Sequence, residues 1–304
     1  MHGRVVRGSR LVAAGRLQGV IMQEKIIVMA DSCCDVGRDL QEKYNIRVLP
    51  VHVIYPEREY EDGVDIDPKT IYERFPDEIP TTSMPSPGEI LDFLEKLREE
   101  GYTHCISVNI SDHLSGTVNN VQAVAGEVEG LTTYVYNTKD ISFGSGVYAV
   151  YAAKLVREGV PFDEICRRME EKREDSHLMF YMDTLDYLKK GGRIGNVAFM
   201  IANVLHMKPI IACDPDGVYY TVAKIRGARK GKQRVIDEIA KRVGDRKCWL
   251  AVLHGDDEEE GKRTVEMIRE RIPQGELIYF NQINASLAVN TGPGLIGVLA
   301  FVEP

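Results

Sequence analysis

An α/β fold in two domains is what the sequence predicts: a three-layer α/β/α domain with a parallel sheet, then an α+β domain with a mixed sheet. Two observations carry this. From residue 25 to about 173, apolar β-branched runs alternate with amphipathic helical patterns, as in a parallel sheet covered on both faces. Beyond residue 174 a hairpin pattern enters, with Lys208–Cys213 and Val218–Ile225 joined at Pro215-Asp216-Gly217. The 304 residues are enough for two such units, and 44% hydrophobic with 28% charged residues is ordinary globular composition.

In chain order, strands are expected at 25–30, 46–54, 104–110 and 132–137. Helices are expected at 68–75, 87–100, 117–128, 144–158 and 161–173. The helix at 87–100 has the most explicit start: Ser86 is an N-cap, Pro87 holds the first helical position, and Glu89 completes a capping box. Gly144-Ser145-Gly146 does not complete a dinucleotide fingerprint and reads as a helix start that packs closely. The second domain opens with a strand at His177–Met182 and a helix at Leu185–Lys190, ended by Gly191 and Gly192. A strongly apolar helix at Asn196–Leu205 precedes the hairpin. A basic helix at 229–243, strands at 248–254 and 276–283 around a helix at 257–272, and an apolar strand ending at Val302 complete it.

Residues 1–21 contain Arg4, Arg7, Arg10 and Arg16, no acidic residue and no continuous apolar core. This is not a secretory signal. It reads as a disordered leader ahead of Met22, which gives boundaries of 1–21, 22–173 and 174–304. The net charge of −8 argues against a general nucleic-acid binder. No apolar run approaches the ~20 residues that span a bilayer. Six scattered cysteines with no CxxC pair, and seven histidines without HxxxH spacing, suit buried thiols in a reducing cytoplasm. Neither a metal nor a cofactor is expected, and no P-loop or GxSxG elbow occurs.

The candidate site begins at Thr81, Thr82 and Ser83, just before the helix start at Ser86. A helix N-terminus carries partial positive charge and free N–H groups, which suit an anion. Ser115 and Gly116 repeat the arrangement after the strand at 104–110. Two such loops could converge at the carboxyl edge of a parallel sheet, where α/β proteins bind ligands. The alternative is a pair of ordinary capped loops. Arg193 is either a solvated charge or an arm for a carboxylate or phosphate. Lys224, Arg226, Arg229, Lys230 and Lys232 form either an exposed helix face or a docking patch for an acidic or phosphorylated partner. The apolar helix near residue 200 is either core or the lining of an acyl tunnel.

Taken together these segments resemble the DegV family of bacterial fatty-acid-binding proteins, over about residues 24–304. Asp31-Ser32-Cys33-Cys34-Asp35 resembles the family's opening Asp-Ser-x-x-Asp. Thr82-Ser83-Met84-Pro85-Ser86 resembles its Thr-Ser-Gln-Pro-Ser, and Leu114-Ser115-Gly116-Thr117 its Leu-Ser-Gly-Thr. The run from Asp183-Thr184-Leu185 to Gly191-Gly192-Arg193-Ile194, then Lys208-Pro209-Ile210, Arg226-Gly227 and Thr291-Gly292-Pro293-Gly294, follow in the family's order. The resemblance implies one buried long-chain fatty acid, with its carboxylate at the domain interface and its tail in an apolar tunnel. Thr82, Ser83, Ser115 and Gly116 would hold the carboxylate. Arg193, Arg226 and Asn290 would serve a phosphoryl group or a partner surface. It also implies a binding protein rather than an enzyme, one that presents its ligand to an ATP-dependent fatty acid kinase subunit. The chain departs from the family at Met84, where glutamine is common, and at Asn290, where histidine is common; asparagine donates a hydrogen bond but carries no charge. The competing readings are a stand-alone enzyme on a small carboxylated or phosphorylated metabolite, and an interaction scaffold with a small, empty cleft.

Overall fold

The computed structural model describes residues 3–6, 24–195, 197 and 208–304. The first region runs β1 (Arg4–Val6), β2 (Ile26–Asp31), α1 (Arg38–Tyr44), β3 (Ile46–Leu49), β4 (His52–Ile54), β5 (Glu59–Glu61), α2 (Pro68–Arg74), β6 (Thr81–Ser83), α3 (Pro87–Glu99), β7 (His104–Asn109), α4 (Thr117–Val124), β8 (Thr132–Asn137), α5 (Phe143–Arg157) and α6 (Phe162–Glu171). The second runs β9 (Ser176–Tyr181), α7 (Asp186–Lys190), β10 (Lys208–Cys213), β11 (Tyr219–Ile225), α8 (Ala228–Val243), β12 (Cys248–His254), α9 (Glu258–Arg271), β13 (Gly275–Gln282), α10 (Ala285–Thr291) and β14 (Ile296–Val302).

The first sheet has the order β1-β8-β7-β2-β3, parallel from β8 to β3. Its inner strands β2, β7 and β8 are buried on both faces, which in β2 goes with an almost continuously apolar sequence. Ile27 and Met29 face α3 and α4, where they meet Ile90, Leu94, Val118 and Val121. Val28 and Ala30 face the opposite layer and its Leu40 and Val147. The second sheet has the order β11-β10-β9-β14-β12-β13 and is mixed, with only β12 and β13 parallel. On β9, Met179 and Tyr181 turn toward α8, while Leu178 and Phe180 turn inward. The α/β architecture and the mixed second sheet match the sequence expectation.

Helix α5 joins the two sheets. It packs on β2 and β7 and also on β9 and β14, so it is apolar on every face rather than on one stripe. Phe143 stacks on Tyr279 with ring centroids 4.2 Å apart, and Tyr148 and Tyr151 meet Phe301 at 5.3 and 5.5 Å. A Cβ on Gly146 would fall 2.2 Å from the Cys34 carbonyl oxygen, which is the close packing expected of this helix start.

Four segments differ from expectation. The run at 46–54 divides at Pro50: β3 stays in the first sheet, while β4 forms a small antiparallel sheet of order β5-β4-β6. Proline offers no N–H to continue a ladder. Thr81–Ser83, expected as a loop, is the strand β6, with Thr82 opposite Val53. Two β-branched threonines, and the extended conformation that Pro85 imposes on Met84, favour this. Arg4–Val6, inside the expected disordered leader, pairs antiparallel with β8, and the Gly3 N–H donates to Glu170 Oε1 at 2.7 Å. The rest of the leader, at 7–23, lies outside the described residues. The short helix α10 was not expected at all. Of the apolar helix expected at 196–205, only Val197 lies within the described residues, and it is buried.

Candidate functional site

The two helix starts that the sequence singled out differ. At α3 the Glu89 N–H donates to Ser86 Oγ at 3.3 Å, and Glu89 Oε2 accepts from the Ser86 N–H and hydroxyl at 2.8 and 2.6 Å. Glu89 Oε1 also lies 3.0 Å from His52 Nε2. This helix end is closed by its own residues. At α4 the N-cap is Gly116, which offers no side-chain cap. Ser115 Oγ accepts from the Thr117 N–H at 3.3 Å and lies 2.9 Å from Thr117 Oγ1. The two segments touch. Asn120 Nδ2 donates to the Pro85 carbonyl at 3.1 Å, and a Cβ on Gly116 would fall 2.6 Å from Met84 Sδ.

A cavity of about 840 Å³, part of it open to solvent, lies where both sheets face α10 and β6. One end is polar: Thr82, Ser83, Ser115, Arg193 and Asn290 line it. The remainder is mostly apolar, with Leu178, Phe180, Leu253, Ile283 and Leu295 along the walls. At the polar end it adjoins an outer pocket through Thr82, Arg193 and Asn290, where Thr81 and Lys190 are added.

Five of the seven residues proposed from sequence therefore share one cavity. Gly116 stands beside it at the α4 N-cap, and Arg226 is exposed beyond β11, outside its lining. Arg193 follows Gly192, whose φ of +73° ends α7 in the left-handed region. Its Nη1 donates to the Gly191 carbonyl at 2.6 Å. A Cβ on Gly191 would fall 2.0 Å from Asn290 Oδ1, so the bare glycine leaves room for that amide.

Sequence reasoning missed a second polar patch in the same cavity, formed by Cys33, Ser142 and Ser286. Each serine is held from behind by a buried carboxyl. Ser142 donates to Asp35 Oδ2, and Ser286 donates to Asp62 Oδ2. Cys33 Sγ lies 3.5 Å from Ser286 Oγ. Burial pushes the Asp31 carboxyl up to about 7 and that of Asp35 up to about 8, against the hydrogen bonds each accepts. Burial also raises the Asp62 carboxyl and the Cys33 thiol. The available signal was Asn284, a common N-cap type, followed by Ala285, Leu287, Ala288 and Val289 and ended by Gly292. Among the described residues no group of three or more His, Cys, Asp or Glu side chains is placed to hold a metal. None of their helices is long and apolar enough to cross a membrane.

Residues 25–303 match the family model described as "Uncharacterised protein, DegV family". A DegV domain-containing protein of Clostridium acetobutylicum is 38% identical over 281 residues, covering 92% of this chain and all of that one. A counterpart from Clostridium perfringens is 38% identical over 275 residues, covering 90% and 98%. Among solved structures, DegV of Bacillus subtilis, a fatty acid binding protein, superposes with a TM-score of 0.83 at 28% identity, covering 92% of this chain and 100% of that one. A stearic acid-binding protein from Eubacterium ventriosum superposes with a TM-score of 0.83 at 26% identity, covering 92% and 98%. Matched nearly from end to end by the family model and by full-length relatives, the chain belongs to the DegV family.

Proposed function

We propose that this protein binds a long-chain fatty acid, holding the carboxylate at Thr82, Ser83, Ser115 and Gly116 and the tail along the apolar walls. The observation that carries this reading is one cavity lined both by hydroxyls, Thr82, Ser83 and Ser115 among them, and by a longer set of apolar side chains. A carboxylate withdrawn from water needs donors, and the hydroxyls together with the positive end of α4 supply them. Each buried CH₂ contributes about 0.8 kcal/mol, so the tail provides most of the affinity and the head group its orientation. The fatty acids named for the Bacillus subtilis and Eubacterium ventriosum relatives support the same ligand class.

In the same reading the protein is a carrier and not a catalyst. It presents the carboxylate at the polar mouth to a separate ATP-dependent fatty acid kinase subunit, with Arg193 supplying positive charge and Asn290 a neutral donor. Arg226, on the surface, belongs to the partner contact.

Native mass spectrometry of the purified protein tests the binding. The expected result is a co-purifying species of fatty-acid mass, and after delipidation, saturable one-to-one binding of palmitate. A ligand-free protein that also fails to bind palmitate overturns the reading. The carrier role is tested separately, by adding a bacterial fatty acid kinase catalytic subunit and ATP. ADP release that depends on the loaded protein is expected; ATP turnover by this chain alone would overturn that role.

A further inference from the structure

Ser286 is a polar cavity residue whose proton has two places to go. It lies on α10 one turn before Asn290, both residues line the cavity, and the Asn290 amide donates to the Ser286 carbonyl at 3.1 Å. Its hydroxyl donates away from the cavity, to Asp62 Oδ2. Both side chains are 2% exposed, and Asp62 Oδ1 has no hydrogen-bond partner among the described residues.

We propose that Asp62 and Ser286 form a proton-gated donor for the ligand's carboxylate. With Asp62 ionised, it holds the Ser286 hydroxyl, and only oxygen lone pairs face the cavity. With Asp62 protonated, its O–H donates to Ser286 Oγ, and the Ser286 O–H is free to turn toward the ligand. Ligand carboxylate, protein and one solvent proton thus combine into the complex, with the proton resting on Asp62. This deepens the fatty-acid reading above and rests on it.

The surroundings favour the exchange. A ligand carboxylate and an ionised Asp62 on either side of one hydroxyl are like charges at close range, and such pairs share a proton. From the turn after β2, Asp62 is faced by the carboxyls of Asp31 and Asp35, the Cys33 thiol and the Ser32 hydroxyl. From α10 it is faced by Ser286 and the backbone of Ala285. Tyr72 of α2 packs against α10 in the same cluster, and its phenol is raised by burial. His52 of β4 is turned to Glu59 and Glu89 instead. Arg38 of α1 reaches the neighbouring Gly63 carbonyl from the exposed side. Burial is the largest influence on Asp62 and raises its carboxyl above the ordinary range. The Ser142–Asp35 pair repeats the arrangement elsewhere on the cavity wall.

The test is calorimetric titration of palmitate into delipidated full-length protein, in buffers of different ionisation enthalpy, from about pH 6 to pH 9. The expected result is net proton uptake of up to one per ligand, with Kd rising up to about tenfold per pH unit once Asp62 would otherwise be ionised. In Asp62→Asn the side-chain amide donates permanently to Ser286 Oγ, so binding persists while proton uptake and pH slope flatten. Ser286→Ala loses about tenfold in affinity near neutral pH and loses the same slope. Zero proton uptake by the unaltered protein overturns the proposal without recourse to a variant. So does an undiminished slope in both variants, and in either case the fatty-acid reading stands. Failure to bind palmitate at any pH overturns both.

Discussion

Two of the chain's serine–carboxyl pairs behave oppositely. At the start of α3, Ser86 donates to Glu89, whose side chain is 47% exposed; that bond is the largest influence on Glu89 and holds its carboxyl below the ordinary range. At the cavity wall, Ser286 donates to Asp62, and burial holds that carboxyl above the ordinary range. Asp62 also receives help from Ser32 and the backbone of Ala285 and Ser286, so the number of hydrogen bonds does not decide the direction. Desolvation does. The wet pair is a helix cap, whereas the dry pair has a proton to exchange. The helix starts carry the same lesson. The capping box that announces α3 most clearly also ties it to its own residues, while α4, with glycine at its N-cap, has no side-chain cap there and starts beside the cavity residue Ser115.

The largest effect expected from this contrast is on ligand affinity. Thr82→Ala combined with Ser115→Ala removes two donors to a charged group, at roughly 1.5–3 kcal/mol each when fully made. Palmitate binding is expected to weaken by at least about 100-fold, with little change in the melting temperature of the ligand-free protein. Equal weakening in Ser86→Ala, measured in the same titration, would erase the distinction between the two helix starts.

Next is the stability of the buried pair. Ser286→Ala leaves a buried carboxyl without its hydroxyl donor and is expected to cost about 1–3 kcal/mol in the ligand-free protein. The sign of its pH dependence follows from the raised carboxyl. Asp62's contribution is fully present below the ordinary carboxyl range and is lost as pH rises through its folded value. The Ser286 bond opposes that rise, so removing it makes the loss larger. The deficit in urea unfolding is therefore expected to grow from about pH 4 to pH 8. A deficit independent of pH would reduce Ser286 to a packing residue.

Much of this was legible in the sequence, for identifiable reasons. The sheets could be read because strands buried on both faces are continuously apolar, as in Ile26–Ala30 and Cys248–Leu253. Ser86, Pro87 and Glu89 were legible because capping is local. Thr82, Ser83 and Ser115 were found as hydroxyls flanking helix starts, although β6 is a strand and not a loop. What could not be read was long-range. Asp62 and Ser286 are 224 residues apart, and nothing local to either marks them as partners. Nor does Asp31-Ser32-Cys33-Cys34-Asp35 announce in sequence that its carboxyls are buried with no counter-cation among the described residues, which the packing of α5 and α10 around that turn creates. Helix α10 was missed because seven residues give too few turns for a periodic signal.

The smallest expected effect is also the sharpest check, because its sign is opposite. Ser86→Ala removes an N-cap and is expected to cost about 1 kcal/mol. Glu89 is held low first by the Ser86 hydroxyl, against the opposing effect of burial, with further lowering by the Ser86 backbone N–H and His52. A lowered carboxyl contributes stability that is present above the ordinary range and lost as pH falls through its folded value. The Ser86→Ala deficit should therefore be full near neutral pH and shrink on acidification below about pH 4, where the unaltered protein also loses the charged half of its capping box. Urea unfolding of Ser86→Ala and Ser286→Ala, side by side at about pH 3.5 and pH 8, should give deficits that change in opposite directions. If both grew, or both shrank, desolvation would not be what separates the two serine–carboxyl pairs. The dry pair would then be only a second cap, with no proton of its own to exchange with a ligand.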